Sequence, residues 1–132
     1  MIARYQIRRG QPLASLPARL RQGLRFDTRM HTRHCLRPSR ELVQRLFAGM
    51  AAGRTGAWRE FERGYRALLA ARFRADRGPF DALCALARDR DVFLGCSCPS
   101  AINPDARRCH TALALRFLRE RYPGLAVDRK LG

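Results

Sequence analysis

The sequence predicts an α/β fold: a small, mostly parallel sheet flanked by helices in a Rossmann-like three-layer arrangement. Two features of the chain point there. Short β-type stretches alternate with longer segments of helical period. One stretch, "VFLGC" at 92–96, is apolar on both faces and bounded by charge, as a strand buried inside a parallel sheet must be. Right-handed crossovers then lay the intervening helices over the sheet faces. The 132 residues suit one α/β domain over 1–132, large enough to bury roughly two thirds of its unfolded surface.

"RYQIRR" (4–9) alternates and reads as the first strand, after which Pro12, Pro17 and Gly23 punctuate a connector with a helical turn near Leu16 to Arg21. "LRFDTRMH" (24–31) alternates strictly, with Leu24, Phe26, Thr28 and Met30 on one face and Arg25, Asp27, Arg29 and His31 on the other. Ser39 is the N-cap expected for a helix whose core positions are Leu42, Val43, Leu46, Phe47 and Met50. After the glycine break at 49, 53 and 56, a helix over 57–75 carries Trp58, Phe61, Tyr65, Leu68, Leu69 and Phe73 on one stripe, read as core and not as a base-stacking platform. Gly78-Pro79 opens a third helix, with Cys84 facing inward beside Phe80, Leu83 and Ala87. The last helix has two available starts, one at Asn103 with Pro104 in its first position and one nearer Cys109. Leu113, Ala114, Phe117 and Leu118 are its core positions, and "LAVD" (125–128) reads as a final short strand.

Composition bounds the function less tightly. The 27 basic residues against 11 acidic ones give a net charge of +16, which invites a polyanion such as a nucleotide or nucleic acid. Every basic residue except Lys130 is arginine, and the arginines are scattered over all segments. A GC-rich coding bias would produce the same pattern without selection for binding. No apolar run reaches the length of a membrane span, and "MIARYQIRRG" lacks the apolar stretch of a signal peptide, so a cytoplasmic protein with no membrane partner is expected. There thiols stay reduced, and five cysteines could not all pair internally in any case.

The chemistry concentrates where the strands end. Sites on open parallel sheets form at the carboxyl ends of strands. One strand here ends at Asp27, Arg29, His31, His34 and Cys35, the other at Cys96 and Cys98. Cys109 and His110 return to the same edge as the last helix begins, so the groups converge if the two strands are neighbours.

"DTR" at a strand end, "LRPSRELVQRLFAG", "WREFERGYRALL" and "LGCSC…CHT", in this order over most of residues 24 to 122, resemble the domain of unknown function 488 family of small bacterial and phage α/β proteins. The resemblance implies an α/β fold and a site drawing on Asp27, Arg29, Cys96, Cys109 and His110, and no established reaction. Two departures stand out. The stretch between Cys98 and Cys109 is longer than is usual for the family, and Thr111 stands where the family pattern has arginine after Cys-His. Arg107 or Arg108 would have to replace that arginine.

Three readings of the site follow from its residue types. In the first, Cys96, Cys109, His110 and Asp27 are catalytic. A helix N-terminus and Arg107 or Arg108 lower a thiol's pKa, Asp27 orients His110 or Arg29, and Arg29, Cys98, Arg107 and Arg108 hold an anionic ligand. In the second, the protein is a non-catalytic basic nucleic-acid-binding module whose cysteines only pack. In the third, the cysteines and a histidine hold zinc in a structural domain, although the Cys96-x-Cys98 spacing is tight and adjacent Cys109 and His110 reach the same ion with difficulty. A labile Cys-x-Cys disulfide is a further option. The residues alone select no cofactor, oligomeric state or substrate and leave open whether the protein is an enzyme.

Overall fold

The computed structural model describes residues 1–128. Four parallel strands, β1 (Ile2–Gln6), β2 (Leu24–Asp27), β3 (Val92–Cys96) and β4 (Val127–Asp128), form one sheet in the order β2-β3-β1-β4. Five helices accompany it: α1 (Ala18–Gln22), α2 (Arg40–Ala51), α3 (Ala57–Ala75), α4 (Gly78–Asp89) and α5 (His110–Arg121). The α/β fold with a parallel sheet is therefore as expected, and β3, apolar throughout and fully buried, is a central strand.

The pleat sorts the side chains. Ile2, Val92 and Leu94 face the main core, where they meet Leu46 of α2, Phe61, Tyr65 and Leu69 of α3, Phe80 of α4 and Leu113 and Phe117 of α5. Phe93 points to the other face, beside Leu16, Pro17 and Leu20 of the connector and α1. The connector approaches so closely that a Cβ at Gly23 would lie 2.8 Å from the Asp91 carbonyl oxygen. Ser39 caps α2 as expected, its hydroxyl accepting from the Leu42 amide at 3.1 Å, and Cys84 is buried in the core.

Several boundaries differ from the sequence reading, each for a local reason. β1 starts at Ile2 and is paired only as far as its neighbour β3 runs, Ile2 opposite Val92 and Gln6 opposite Cys96. β2 stops at Asp27 because that carboxylate accepts the Arg29 amide at 3.0 Å, a side-chain-closed turn that diverts the chain before Met30 and His31. The last helix begins at His110 with Cys109 at the N-cap, so the later of the two starts is the one used. Asn103 caps nothing; Asp105 instead accepts the Arg107 amide and heads a single 3-10 turn over Ala106–Arg108. Trp58 is only partly buried, whereas Phe61 and Tyr65 on the same stripe are core.

Candidate functional site

β2 and β3 are hydrogen-bonded neighbours with Asp27 opposite Gly95, which brings the two unusual strand ends together. Thr28, one residue past β2, lies on the core side of the sheet with Leu24 and Phe26 and is fully buried. Its amide and its hydroxyl both donate to the Gly95 carbonyl, at 3.1 and 3.0 Å. With its proton committed there, the Thr28 oxygen accepts from His110 Nε2 at 2.9 Å. That contact requires a proton on Nε2 and turns Nδ1 toward Cys109 Sγ, 3.7 Å away. Tyr65 packs edge-on against the imidazole at a centroid distance of 5.8 Å, and its own hydroxyl is anchored on the Leu36 carbonyl.

Three thiols gather around that histidine. The sulfurs of Cys96, Cys98 and Cys109 all lie within 4.8 Å of one another and are buried, and all five cysteines of the chain are free. Cys98 Sγ accepts from the Asn103 side-chain amide at 3.3 Å, and Cys109 Sγ from the Thr111 hydroxyl at 3.2 Å. Behind Thr111 lies Arg4, whose side chain shares a sheet face with Ile2. The residue is 4% exposed, and its guanidinium donates through Nε to Thr111 at 3.0 Å and through Nη2 to the Cys98 carbonyl, while Nη1 has no partner among the described residues. A buried arginine with no carboxylate partner is costly unless another negative charge is near. The chain Arg4–Thr111–Cys109 supplies one if Cys109 is a thiolate.

The electrostatics agree. Hydrogen bonds from Cys96 and Cys98 lower the Cys109 thiol well below the ordinary range, burial opposes them, and His110 adds to the lowering. Burial alone would depress His110, but its interactions with Cys109 and Cys96 outweigh that and push it up to about 10. Cys96 and Cys98 move upward, each first through its hydrogen bond with Cys109. These interactions favour a negative charge on Cys109 over Cys96 or Cys98, and so does the dipole of the twelve-residue helix that starts there.

The cluster opens on a cavity of about 420 Å³, within the range of small-molecule sites. Its walls include Phe47, Phe61 and Ile102, with the basic side chains of Arg29, His31 and Arg108 set against Cys96, Cys98, Cys109 and His110. Asp27 does not reach His110. Its carboxylate takes Arg29 Nε and Nη2 at 3.0 and 2.8 Å and holds that guanidinium toward Ser97 Oγ, 3.2 Å away. Burial would raise the Asp27 carboxyl, and Arg29 outweighs it, so the pair stays charged. Arg107 is turned to solvent and paired with Asp105 at 3.0 Å, away from the thiols, whereas Arg108 lines the cavity. His34 serves its own loop, accepting the Leu36 amide at 3.1 Å, and Cys35 packs against the core.

The three sulfurs also suit a thiophilic metal ion. Cys96 and Cys98 are 3.9 Å apart, close to the roughly 3.8 Å that tetrahedral zinc–sulfur bonds of about 2.3 Å require.

Thr28, Arg4, Asn103, Tyr65 and Thr111 belong to this site, although sequence reasoning gave them no role in it. One signal was available for Thr28, a hydroxyl on the inward face at the carboxyl end of a strand. Among curated proteins and among solved structures nothing matches the chain. A family model described as the active DUF488-N3 subclade matches residues 9–122, which hold β2, β3, every helix and the whole thiol–imidazole cluster except Arg4. The chain belongs to the DUF488 family, in that subclade.

Proposed function

We propose that the protein binds and processes an anionic ligand of the nucleotide or nucleic-acid class at a thiol–imidazole centre. The observation that carries this reading is the Cys109 Sγ–His110 Nδ1 pair, 3.7 Å apart, opening on a cavity that Arg29 and Arg108 flank. In this reading Cys109 attacks an electrophilic atom of the ligand as a thiolate, forming a sulfur–ligand bond from its own electron pair while the bond to the departing group breaks and that group leaves with its electron pair. His110 holds the thiol proton on Nδ1 and returns it to the departing group. Thr28 and Tyr65 keep the ring in line, and Arg4, through Thr111, stabilises the thiolate. Arg29, braced by Asp27, and Arg108 receive the ligand's negative charge. Membership of a subclade described as active agrees with a chain that keeps reacting groups.

The test is the rate at which iodoacetamide alkylates each thiol of anaerobically purified protein. Cys109 is expected to react at near-neutral pH faster than Cys84 and Cys35, whose thiols burial pushes up to about 11. His110→Ala is expected to slow Cys109, and inorganic phosphate or a nucleoside monophosphate to protect it. Uniformly slow thiols would leave a basic binding module.

A second reading has one observation in its favour. The three sulfurs within 4.8 Å of one another could hold zinc, which would occupy Cys109 and make the cluster structural. Stoichiometric zinc with Cys96, Cys98 and Cys109 all protected from alkylation would select it.

A further inference from the structure

Arg108 lines two cavities. One is the thiol cavity; the other, of about 570 Å³, is formed by α3 with Trp58, Arg59, Glu62, Arg63 and Arg66. Arg59, Arg63 and Arg66 stand at i, i+4 and i+7, so they leave one face of the helix along about 10 Å of its axis. Arg66 is drawn to Glu120 at 3.3 Å, and the cavity's own acid, Glu62, faces Arg116 at 3.9 Å. Arg59, Arg63 and Arg108 have no carboxylate partner within ion-pair distance among the described residues. Guanidiniums converging on one concavity repel each other until an anion enters it. Trp58 adds a second kind of surface. Its ring stacks on Phe61 at a centroid distance of 5.5 Å, and the part left uncovered lines the same cavity.

An aromatic ring set among unpaired arginines matches single-stranded nucleic acid, in which bases stack and phosphates seek cations. The neighbouring site favours a single strand over a duplex. Cys109 is 3% exposed at the floor of its cavity, where a nucleotide can reach it only when unpaired and turned out of its stack. We propose that the α3 groove is a binding track for single-stranded nucleic acid and that Arg108 marks where the strand passes into the thiol cavity. The assignment rests on the reading of that cavity as a site for nucleotide-type ligands.

Trp58 is the chain's one tryptophan, so its fluorescence reports the groove directly. The experiment titrates the intact protein with a short oligothymidylate at physiological salt, following tryptophan quenching and the anisotropy of a labelled strand. The expected result is saturable quenching and a loss of about tenfold or more in affinity for Arg59→Ala/Arg63→Ala. The salt dependence should flatten by about 1.4 in log–log slope for the two lost phosphate contacts. Arg74→Ala/Arg88→Ala removes the same charge from exposed positions that line neither cavity and is expected to cost much less. An unquenched Trp58, equal losses in the two double variants, or binding of duplex DNA or poly-glutamate as tight as the strand would each overturn the proposal. The Cys109→Ser variant separates it from the reading of the thiol centre. If that variant and the wild type bind the strand alike while Cys109 alkylates no faster than Cys84, the thiol chemistry falls and the groove stands.

Discussion

The Thr28 hydroxyl oxygen lies 2.9 Å from His110 Nε2 and 3.0 Å from the Gly95 carbonyl, so one buried hydroxyl links β2, β3 and α5 and sets the orientation of the imidazole. The sheet edge thereby dictates which imidazole nitrogen faces the thiol. Thr28→Val keeps the shape and removes the acceptor, leaving a buried N–H unpaired. The expected cost is about 1–3 kcal/mol in urea unfolding, together with slower alkylation of Cys109. Thr28→Ser, which restores the oxygen, should recover the alkylation rate.

Arg4 should tune the thiol without touching it. Arg4→Met keeps much of the stem and deletes the charge behind Thr111. The pH midpoint of Cys109 alkylation should then rise. A midpoint that stays in place while overall stability drops would assign Arg4 to packing alone.

Metal removal distinguishes the two uses of the same sulfurs. Asn103, Thr111 and His110 already provide hydrogen-bonding partners to the cluster, so the fold is expected to survive exhaustive chelation with its unfolding midpoint unchanged. Loss of the midpoint after chelation, with recovery on adding zinc, would show that metal binding supplies folding free energy.

His34 gives the molecule a sensitivity to mild acid. Burial, with a contribution from the charge of His110, lowers it from 6.5 to about 4. Between those values the unfolded chain binds a proton that the folded one refuses. Its contribution is therefore complete above the unfolded pKa and is lost as the pH falls toward the folded one. After allowance for partial exposure, this is about 1–2 kcal/mol. His34→Asn keeps an acceptor for the Leu36 amide and does not titrate, so its stability should fall less between neutral pH and mild acid in urea melts.

Periodicity made the architecture legible before any coordinates. The double-sided apolar run 92–96 could only be a buried strand, and the stripes through α2 to α5 matched the faces that meet the sheet. The site was legible as a list of reactive residues at strand ends, since a parallel sheet brings its carboxyl edges together whatever the details. Its wiring was not. Asp27 looked able to serve His110 or Arg29; the alternation that puts Thr28 inward puts Asp27 on the opposite face, where it holds Arg29. Asn103 looked like a helix cap, and the 3-10 turn after Asp105 left its amide free to reach Cys98.

By itself the sequence determined the α/β class, the order of the elements and the edge at which Cys96, Cys98, Cys109 and His110 gather, because these follow from period and chain order. Only the tertiary structure decided which nitrogen of His110 faces Cys109, that Arg4 stands behind the Cys109 sulfur more than a hundred residues away in sequence, and that Arg108 joins a second, arginine-lined cavity to the first. Such contacts depend on strand order and register. Neighbouring residues carry no record of them, because the partner lies on a different element and the geometry appears only when β2, β3 and α5 close on one another.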